Sequence, residues 1–224
     1  MIKYNTINVN GIGIFYREAG NQVENSTILL LHGFPSSSHM YRNLINALSN
    51  KFHLIAPNYP GFGNSDMPSI KDFIYTLDNL ADVMEQFIGL LKLDEKKFSM
   101  CFQDYGAPVG FRIASKHPNW IESLIIQNGN AYEEGLGPAA FEPIKEFWKE
   151  RTNKSEQAIR DILKPEFTNM QYTDGANNVE KISPDSWNMD QYFLDRTGNA
   201  EIQIQLQYDY QNNLKRYPRV AFLF

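Results

Sequence analysis

The sequence has little of what several classes of protein require. Its 224 residues include one cysteine, Cys101, which excludes an intramolecular disulfide. With only four histidines beside it, we expect no zinc cage and no bound metal or cofactor. No apolar run approaches the roughly 18 residues of a membrane span, and the opening MIKYNTINVNG lacks the apolar centre of a signal peptide. We therefore expect a soluble, cytoplasmic protein that contacts no membrane.

Positive charge is also scarce. The 26 acidic residues outnumber the 21 basic ones and give a net charge of −5, whereas a nucleic-acid surface needs clustered Lys and Arg. The remaining possibility is a globular protein without a nucleic-acid partner. Its oligomeric state stays open at this stage.

Short apolar runs alternate with amphipathic segments over the first 129 residues. Such alternation is typical of a mostly parallel sheet with flanking helices, so we predict the α/β class. The predicted strands are Ile7–Val9, Ile12–Tyr16, Thr27–Leu31, His53–Ala56, Phe98–Phe102 and Ile121–Gln127. The predicted helices are His39–Leu48, Thr76–Leu93 and Gly106–Lys116.

The character of the sequence changes after Gly129. No apolar strand follows, aromatic residues are dense, and the pattern becomes helical. Helices are predicted at Pro138–Arg151, Ser155–Leu163, Ser183–Asp195 and Asn199–Leu214. We therefore divide the chain into a core of residues 1–129, an inserted all-helical cap of residues 130–217, and a tail of residues 218–224.

The segment FSMCFQDYGAPVGFRIA contains the strongest chemical signal. A predicted strand runs into Asp104, and a helix begins at Gly106. A side chain on such a sharp strand-to-helix turn projects above the sheet, and the helix N-terminus stabilises negative charge there. Asp104 would therefore be an ionised nucleophile for an sp³ carbon. The alternative is that it only caps the helix.

The segment LLLHGFPSSS supplies a second signal. Gly33 allows the backbone to turn so that the N–H of Phe34 points inward, where it would form an oxyanion hole with the N–H of Tyr105. His32 is interpreted as a residue that holds this loop, next to the substrate, rather than as a base. A third loop, PNYPGFGNSDMP, contains Asp66, whose carboxylate we expect to accept hydrogen bonds within the loop rather than to act in catalysis.

Together these three segments resemble the α/β-hydrolase fold, in the branch of epoxide hydrolases and haloalkane dehalogenases, whose nucleophile is Asp. The resemblance extends from about Ile7 to Tyr217. It implies an epoxide hydrolase in which Asp104 forms an alkyl ester with a small hydrophobic substrate that water then releases. It also implies Phe34 and Tyr105 as oxyanion donors.

The resemblance further implies one or two cap tyrosines that polarise the epoxide oxygen. The candidates for this role are Tyr132, Tyr172, Tyr192, Tyr208 and Tyr210. Of these we expect Tyr172, Tyr192 and Tyr208, together with His32, to contact the substrate.

Three features depart from the family pattern. Phe102 lies two positions before Asp104, where the family keeps a small residue, so we expect it to crowd the turn. Tyr105 replaces a Trp that holds the halide in dehalogenases, which makes a haloalkane or haloacid dehalogenase the alternative to an epoxide hydrolase.

The third departure concerns the base and the acid that orients it. All four histidines (His32, His39, His53 and His117) precede the cap, and none occupies the base position. Glu133 and Glu134 are weak candidates for the acid. We therefore expect a core that lacks its last strands through truncation, and a catalytically incomplete fragment is a further alternative.

Overall fold

A six-stranded sheet forms the centre of the computed structural model, which describes the backbone of residues 1–221 and the side chains of residues 1–137 and 141–221. The strands lie in the order β1-β2-β4-β3-β5-β6. They are β1 Lys3–Val9, β2 Ile12–Ala19, β3 Thr27–Leu31, β4 His53–Pro57, β5 Phe98–Gln103 and β6 Ile121–Gln127. Strands β4, β3, β5 and β6 are parallel, and the β1–β2 hairpin joins β4 antiparallel. This confirms the predicted fold class.

Helices follow the strands of the first half of the chain. A 3-10 turn over Ser38–Tyr41 leads into α1 at Arg42–Leu48, so the helix predicted from His39 is only partly α-helical. Helices α2 at Leu77–Leu90 and α3 at Gly106–Lys116 agree with prediction. The hydroxyl of Thr76 accepts the N–H of Asn79 at 3.1 Å and caps α2.

Only helices and turns follow β6 within the described residues. They are α4 Pro138–Lys149, α5 Asn153–Asp161, α6 Pro165–Thr173, α7 Asp185–Leu194, α8 Asn199–Asp209 and α9 Tyr217–Val220. Helix α6 was not predicted, because PEFTNMQYT has too few apolar residues to show a helical period. The helix predicted over Asn199–Leu214 continues as a 3-10 segment from Tyr210 to Arg216. Residues 222–224 of the predicted tail lie outside the described residues.

Hydrogen bonds connect the helices after β6 to the start of α1 and to the loop that follows β4. Arg42 donates through Nη2 to Ser186 on α7 at 2.9 Å. The carbonyl of Gly61 accepts from Arg196 at 2.9 Å and from Asn199 at 2.7 Å. These contacts hold the helical part against the loops that follow the carboxyl ends of the strands, which is where α/β sheets bind ligands.

Strand β6 lies at the edge of the described sheet, where it pairs with β5 alone. Its apolar residues are not fully covered, and Ile125 is 48% exposed. No helix in the described part of the chain has both the length and the apolar character needed to cross a membrane.

Candidate active site

Asp104 occupies the sharp turn between β5 and α3. Its φ is +48°, in the left-handed region that few residues other than glycine, Asn and Asp adopt. Gly33 allows the loop after β3 to approach it, because a Cβ at Gly33 would lie 2.4 Å from the Asp104 Cβ. The turn therefore brings the Asp104 carboxyl group against the HGFP loop.

Backbone N–H groups hold the Asp104 carboxylate from both loops. The N–H of Phe34 donates to Oδ1 at 2.7 Å. This bond and a second from the N–H of Tyr105 lower the pKa of Asp104, but burial outweighs them and raises that pKa above its usual value. The sequence alone indicated only the stabilising influence of the helix N-terminus.

Phe102 does not crowd the turn in the way its size suggested. The side chain is fully buried and packs edge-on against Phe111, with ring centroids 5.1 Å apart. Space for the ring comes from Gly110 on α3, where a Cβ would lie 2.6 Å from the ring of Phe102. The large residue two positions before Asp104 is therefore matched by a missing side chain on the adjacent helix.

His32 is enclosed beneath the HGFP loop. It is 0% exposed, and its ring contacts Tyr59 and Phe62. Nδ1 lies 3.0 Å from the carbonyl oxygen of Gly33, and Nε2 accepts the N–H of Tyr59 at 3.3 Å. Burial lowers its pKa to about 4. His32 is placed to hold the loop, and the structure does not bring its ring to a surface that a substrate could reach.

A cluster of aromatic rings lies on the α3 side of Asp104. The ring of Tyr105 is 5.9 Å from that of Tyr210 and 5.8 Å from that of Phe34. Trp148 stacks on Tyr210, with centroids 6.2 Å apart. Burial, with smaller contributions from Tyr217 and Asp104, raises the pKa of Tyr210 well above its usual value. A protonated phenol is therefore held within the electrostatic influence of Asp104.

The other candidate tyrosines have different surroundings. Tyr172 donates to Asp190 and borders a cavity that Phe34 also lines. Tyr192 is 68% exposed beside Phe193. Tyr208 is 38% exposed and packs on Phe147 and Arg151, while Tyr132 is 51% exposed. Of the tyrosines predicted to contact the substrate, the structure brings Tyr172 close to the HGFP loop but leaves Tyr192 and Tyr208 without a described contact to Asp104.

No histidine among the described residues hydrogen-bonds Asp104. His39 has a buried Nε2 without a partner, and His53 lies between Thr27 and Glu18. His117 pairs with Glu85 at 3.0 Å. Glu133 and Glu134 lie in an exposed 3-10 turn. Nor does any group of three His, Cys, Asp or Glu side chains in the described part form a metal site.

Sequence reasoning missed the residues that surround Tyr210 and Tyr172. Trp148 and Phe141 belong to the aromatic density noted after Gly129, but that density does not show which rings pack against Tyr210. Asp190 is only 1% exposed, and nothing in the sequence indicated that its carboxyl group would be buried.

Comparison with known proteins supports the fold. An uncharacterized hydrolase of Saccharomyces cerevisiae is 42% identical over 212 residues, which cover 93% of this chain and 71% of that protein. Haloalkane dehalogenase 2 of Mycobacterium tuberculosis is 37% identical over 101 residues, which are 45% of this chain and 34% of the dehalogenase. The chain thus matches about a third of that relative's length.

Two solved structures share the fold at low identity. Cfl2 of Burkholderia cenocepacia has a TM-score of 0.79 at 19% identity, over 100% of this chain and 76% of its own. The epoxide hydrolase CorEH has a TM-score of 0.74 at 22% identity, over 96% and 77% respectively. The profile of the alpha/beta hydrolase fold matches residues 26–222, and the chain therefore belongs to the α/β-hydrolase fold family.

Proposed function

We propose that the chain is the catalytic part of an epoxide hydrolase in which Asp104 is the nucleophile. The observation that carries the proposal is the position of Asp104 on a left-handed turn, with Oδ1 held at 2.7 Å by the N–H of Phe34. The hydrogen bond fixes the direction of the carboxylate. A nucleophile held in this way attacks carbon more readily than one that rotates freely.

The first step forms an ester. A carboxylate oxygen of Asp104 bonds to one epoxide carbon, and the ring C–O bond at that carbon breaks. The released oxygen takes a proton from a phenol, since an alkoxide leaves poorly without one. We assign that proton to Tyr210, because it is buried, protonated and close to Tyr105. The tyrosinate regains its proton from water.

The second step hydrolyses the ester. Water loses a proton to a base as it adds to the carboxyl carbon of Asp104, and the N–H groups of Phe34 and Tyr105 hold the resulting oxyanion. The oxyanion then collapses, the bond from the carboxyl carbon to the substrate oxygen breaks, and that oxygen takes the proton, which releases the diol and restores the Asp104 carboxylate. This step needs a base, which typically contributes about 10²–10⁴-fold. Because no described histidine bonds Asp104, we expect the ester to accumulate in the 224-residue chain.

The helices of residues 130–217 form the cap in this proposal. Phe141 and Trp148 supply an apolar wall beside Tyr210, with Phe141 and Tyr210 ring centroids 6.0 Å apart. An apolar wall next to Tyr210 suits the hydrophobic part of a small epoxide that lies against it.

Intact mass spectrometry after incubation with a terminal epoxide tests the nucleophile. We expect one stoichiometric adduct on the peptide that contains Asp104, and none in Asp104→Ala. The matched control is Asp174→Ala, which removes an exposed carboxylate and should label at the wild-type rate. Full labelling of Asp104→Ala would move the nucleophile elsewhere.

A haloalkane dehalogenase is the second candidate. It is supported by the dehalogenase relative and by Tyr105, whose buried hydroxyl has no hydrogen-bond partner among the described residues. An alkyl bromide should then give an alkyl ester on Asp104, without the hydroxyl group that epoxide opening leaves, and release one bromide per chain. Faster labelling by the bromide than by an epoxide of equal length would favour this candidate.

A further inference from the structure

A cavity of about 240 Å³ lies beside the HGFP loop and the end of β5. Its inner wall contains Gly33, Phe34 and Gln103. Phe34 bonds Asp104 directly, and Gln103 precedes it in β5. The cavity therefore adjoins the proposed nucleophile.

The outer wall of this cavity is polar and joins the two parts of the chain. His39 and Arg42 come from the segment after the HGFP loop, and Gln171, Tyr172 and Ser186 come from α6 and α7. A cavity between the core and the helices after β6 is a common place for a ligand.

Several polar groups of the wall lack protein partners. The Nε2 atom of His39 is buried without a hydrogen bond. The side chains of Gln103 and Gln171 make no hydrogen bond with any described residue. Gln171 is exposed and Gln103 is half-buried, so both amides are free to turn toward a ligand. A buried polar atom normally finds a partner, so the unpartnered Nε2 of His39 at this cavity favours a polar ligand.

The electrostatics favour a negatively charged ligand. Burial and the charges of Arg42 and Arg17 lower the pKa of His39, which shows a positive potential there, although Asp185 acts in the opposite direction. Asp190 lies behind Tyr172 with its pKa raised to about 6 by burial. The charged group that lines the cavity itself is the guanidinium of Arg42.

Arg42 is oriented by its existing contacts. Nη1 donates to the carbonyl of His39 at 3.2 Å, and Nη2 donates to Ser186 at 2.9 Å. The planar guanidinium is therefore already held in place. Its fork of N–H donors matches the geometry of a carboxylate.

We propose that this cavity binds the carboxylate at the far end of the substrate, so that the preferred substrates are short epoxides with a terminal carboxylate. The inference rests on the function proposed for Asp104. Arg42 would pair with the carboxylate, and the amides of Gln103 and Gln171 would donate to it. The uncharged part of the substrate would then lie between this cavity and the aromatic cluster.

The test compares two epoxide probes of equal length, 5,6-epoxyhexanoate and 5,6-epoxyhexanamide. The measured quantity is the second-order rate of Asp104 labelling. A charge-assisted hydrogen bond supports about a 10–100-fold preference for the carboxylate. That preference should disappear in Arg42→Gln, fall in Gln171→Leu, and persist in Arg219→Gln, which removes an exposed arginine elsewhere.

A competition experiment covers the case in which Arg42→Gln fails to fold. Butanoate should slow labelling of the wild type by the amide probe, and butanol should not. The outcomes separate the two proposals. If neither probe labels Asp104, the proposed function fails. Equal rates for both probes in the wild type, or equal competition by butanol, would overturn the carboxylate site and leave the function standing.

Discussion

Replacing Gly110 with alanine tests how the turn at Asp104 accommodates Phe102. In a helix interior this change normally stabilises by about 0.5–1 kcal/mol. Here the new Cβ would lie 2.6 Å from Cδ1 and 2.7 Å from Cε1 of Phe102. Because Phe102 is fully buried, its ring cannot move into solvent.

The overlap should reverse the sign of the effect. Overpacking a core costs about 1–3 kcal/mol, and the helical gain offsets about 0.5–1 kcal/mol of that cost. We therefore expect Gly110→Ala to lower the free energy of unfolding by about 1–2 kcal/mol. For a chain of this size that corresponds to a fall in Tm of about 2–8 °C. Labelling of Asp104 by an epoxide should slow as well, because Phe102 lies two residues before it.

Urea denaturation followed by circular dichroism measures the effect, with two comparisons. Gly89→Ala in α2 is the matched control, since no atom lies within 4 Å of its new Cβ, and it should stabilise. In a Phe102→Ala background, which itself costs about 3–5 kcal/mol, Gly110→Ala should also stabilise. The reasoning would be refuted if Gly110→Ala stabilised the wild type as much as Gly89→Ala does.

Three further predictions concern titrating groups. Because burial raises the pKa of Asp104, the rate of epoxide labelling should fall as pH decreases, with a midpoint above that of an exposed carboxyl group; a midpoint at or below it would contradict this. Burying the Asp104 carboxylate costs free energy, so Asp104→Asn, which removes that charge, should raise Tm at pH 8 by a few degrees. An unchanged or lower Tm in thermal denaturation would argue against a cost of burying this carboxylate. Since the folded-state pKa of His32 is about 4 against about 6.5 unfolded, stability should be lost as pH falls from about 6.5 to 4, by up to about 3 kcal/mol. His32→Gln should flatten that part of the urea-measured profile, and an unaltered slope would show that His32 does not cause the loss.

Much of the core could be predicted because its signals are local. Thr27–Leu31 is observed as predicted, since a strand buried on both faces needs a continuous apolar run. Ile121–Gln127 is also observed as predicted, although it lies at the sheet edge. Asp104 was placed on the turn because the start of α3 at Gly106 follows from adjacent residues.

The surroundings of each tyrosine depended on the tertiary structure. Both Tyr192 and Tyr210 were candidate donors, and Tyr192 was preferred as a substrate contact, yet Tyr192 is 68% exposed and Tyr210 is 5% exposed beside Tyr105. Nothing local distinguishes them, because their surroundings come from residues that are distant in the chain.

Packing likewise decided two properties of the turn at Asp104, namely the pKa of the carboxyl group and the fit of Phe102. The direction of its pKa depends on the competition between burial and two N–H donors, and only coordinates show that burial is the stronger influence. The fit of Phe102 depends on the absence of a side chain at Gly110, eight residues later in the chain. By itself the sequence determined the sheet, the turn and the residue types at the site. The electrostatics and shape of that site arise from contacts between distant segments, which act through space and leave no periodic pattern in the chain.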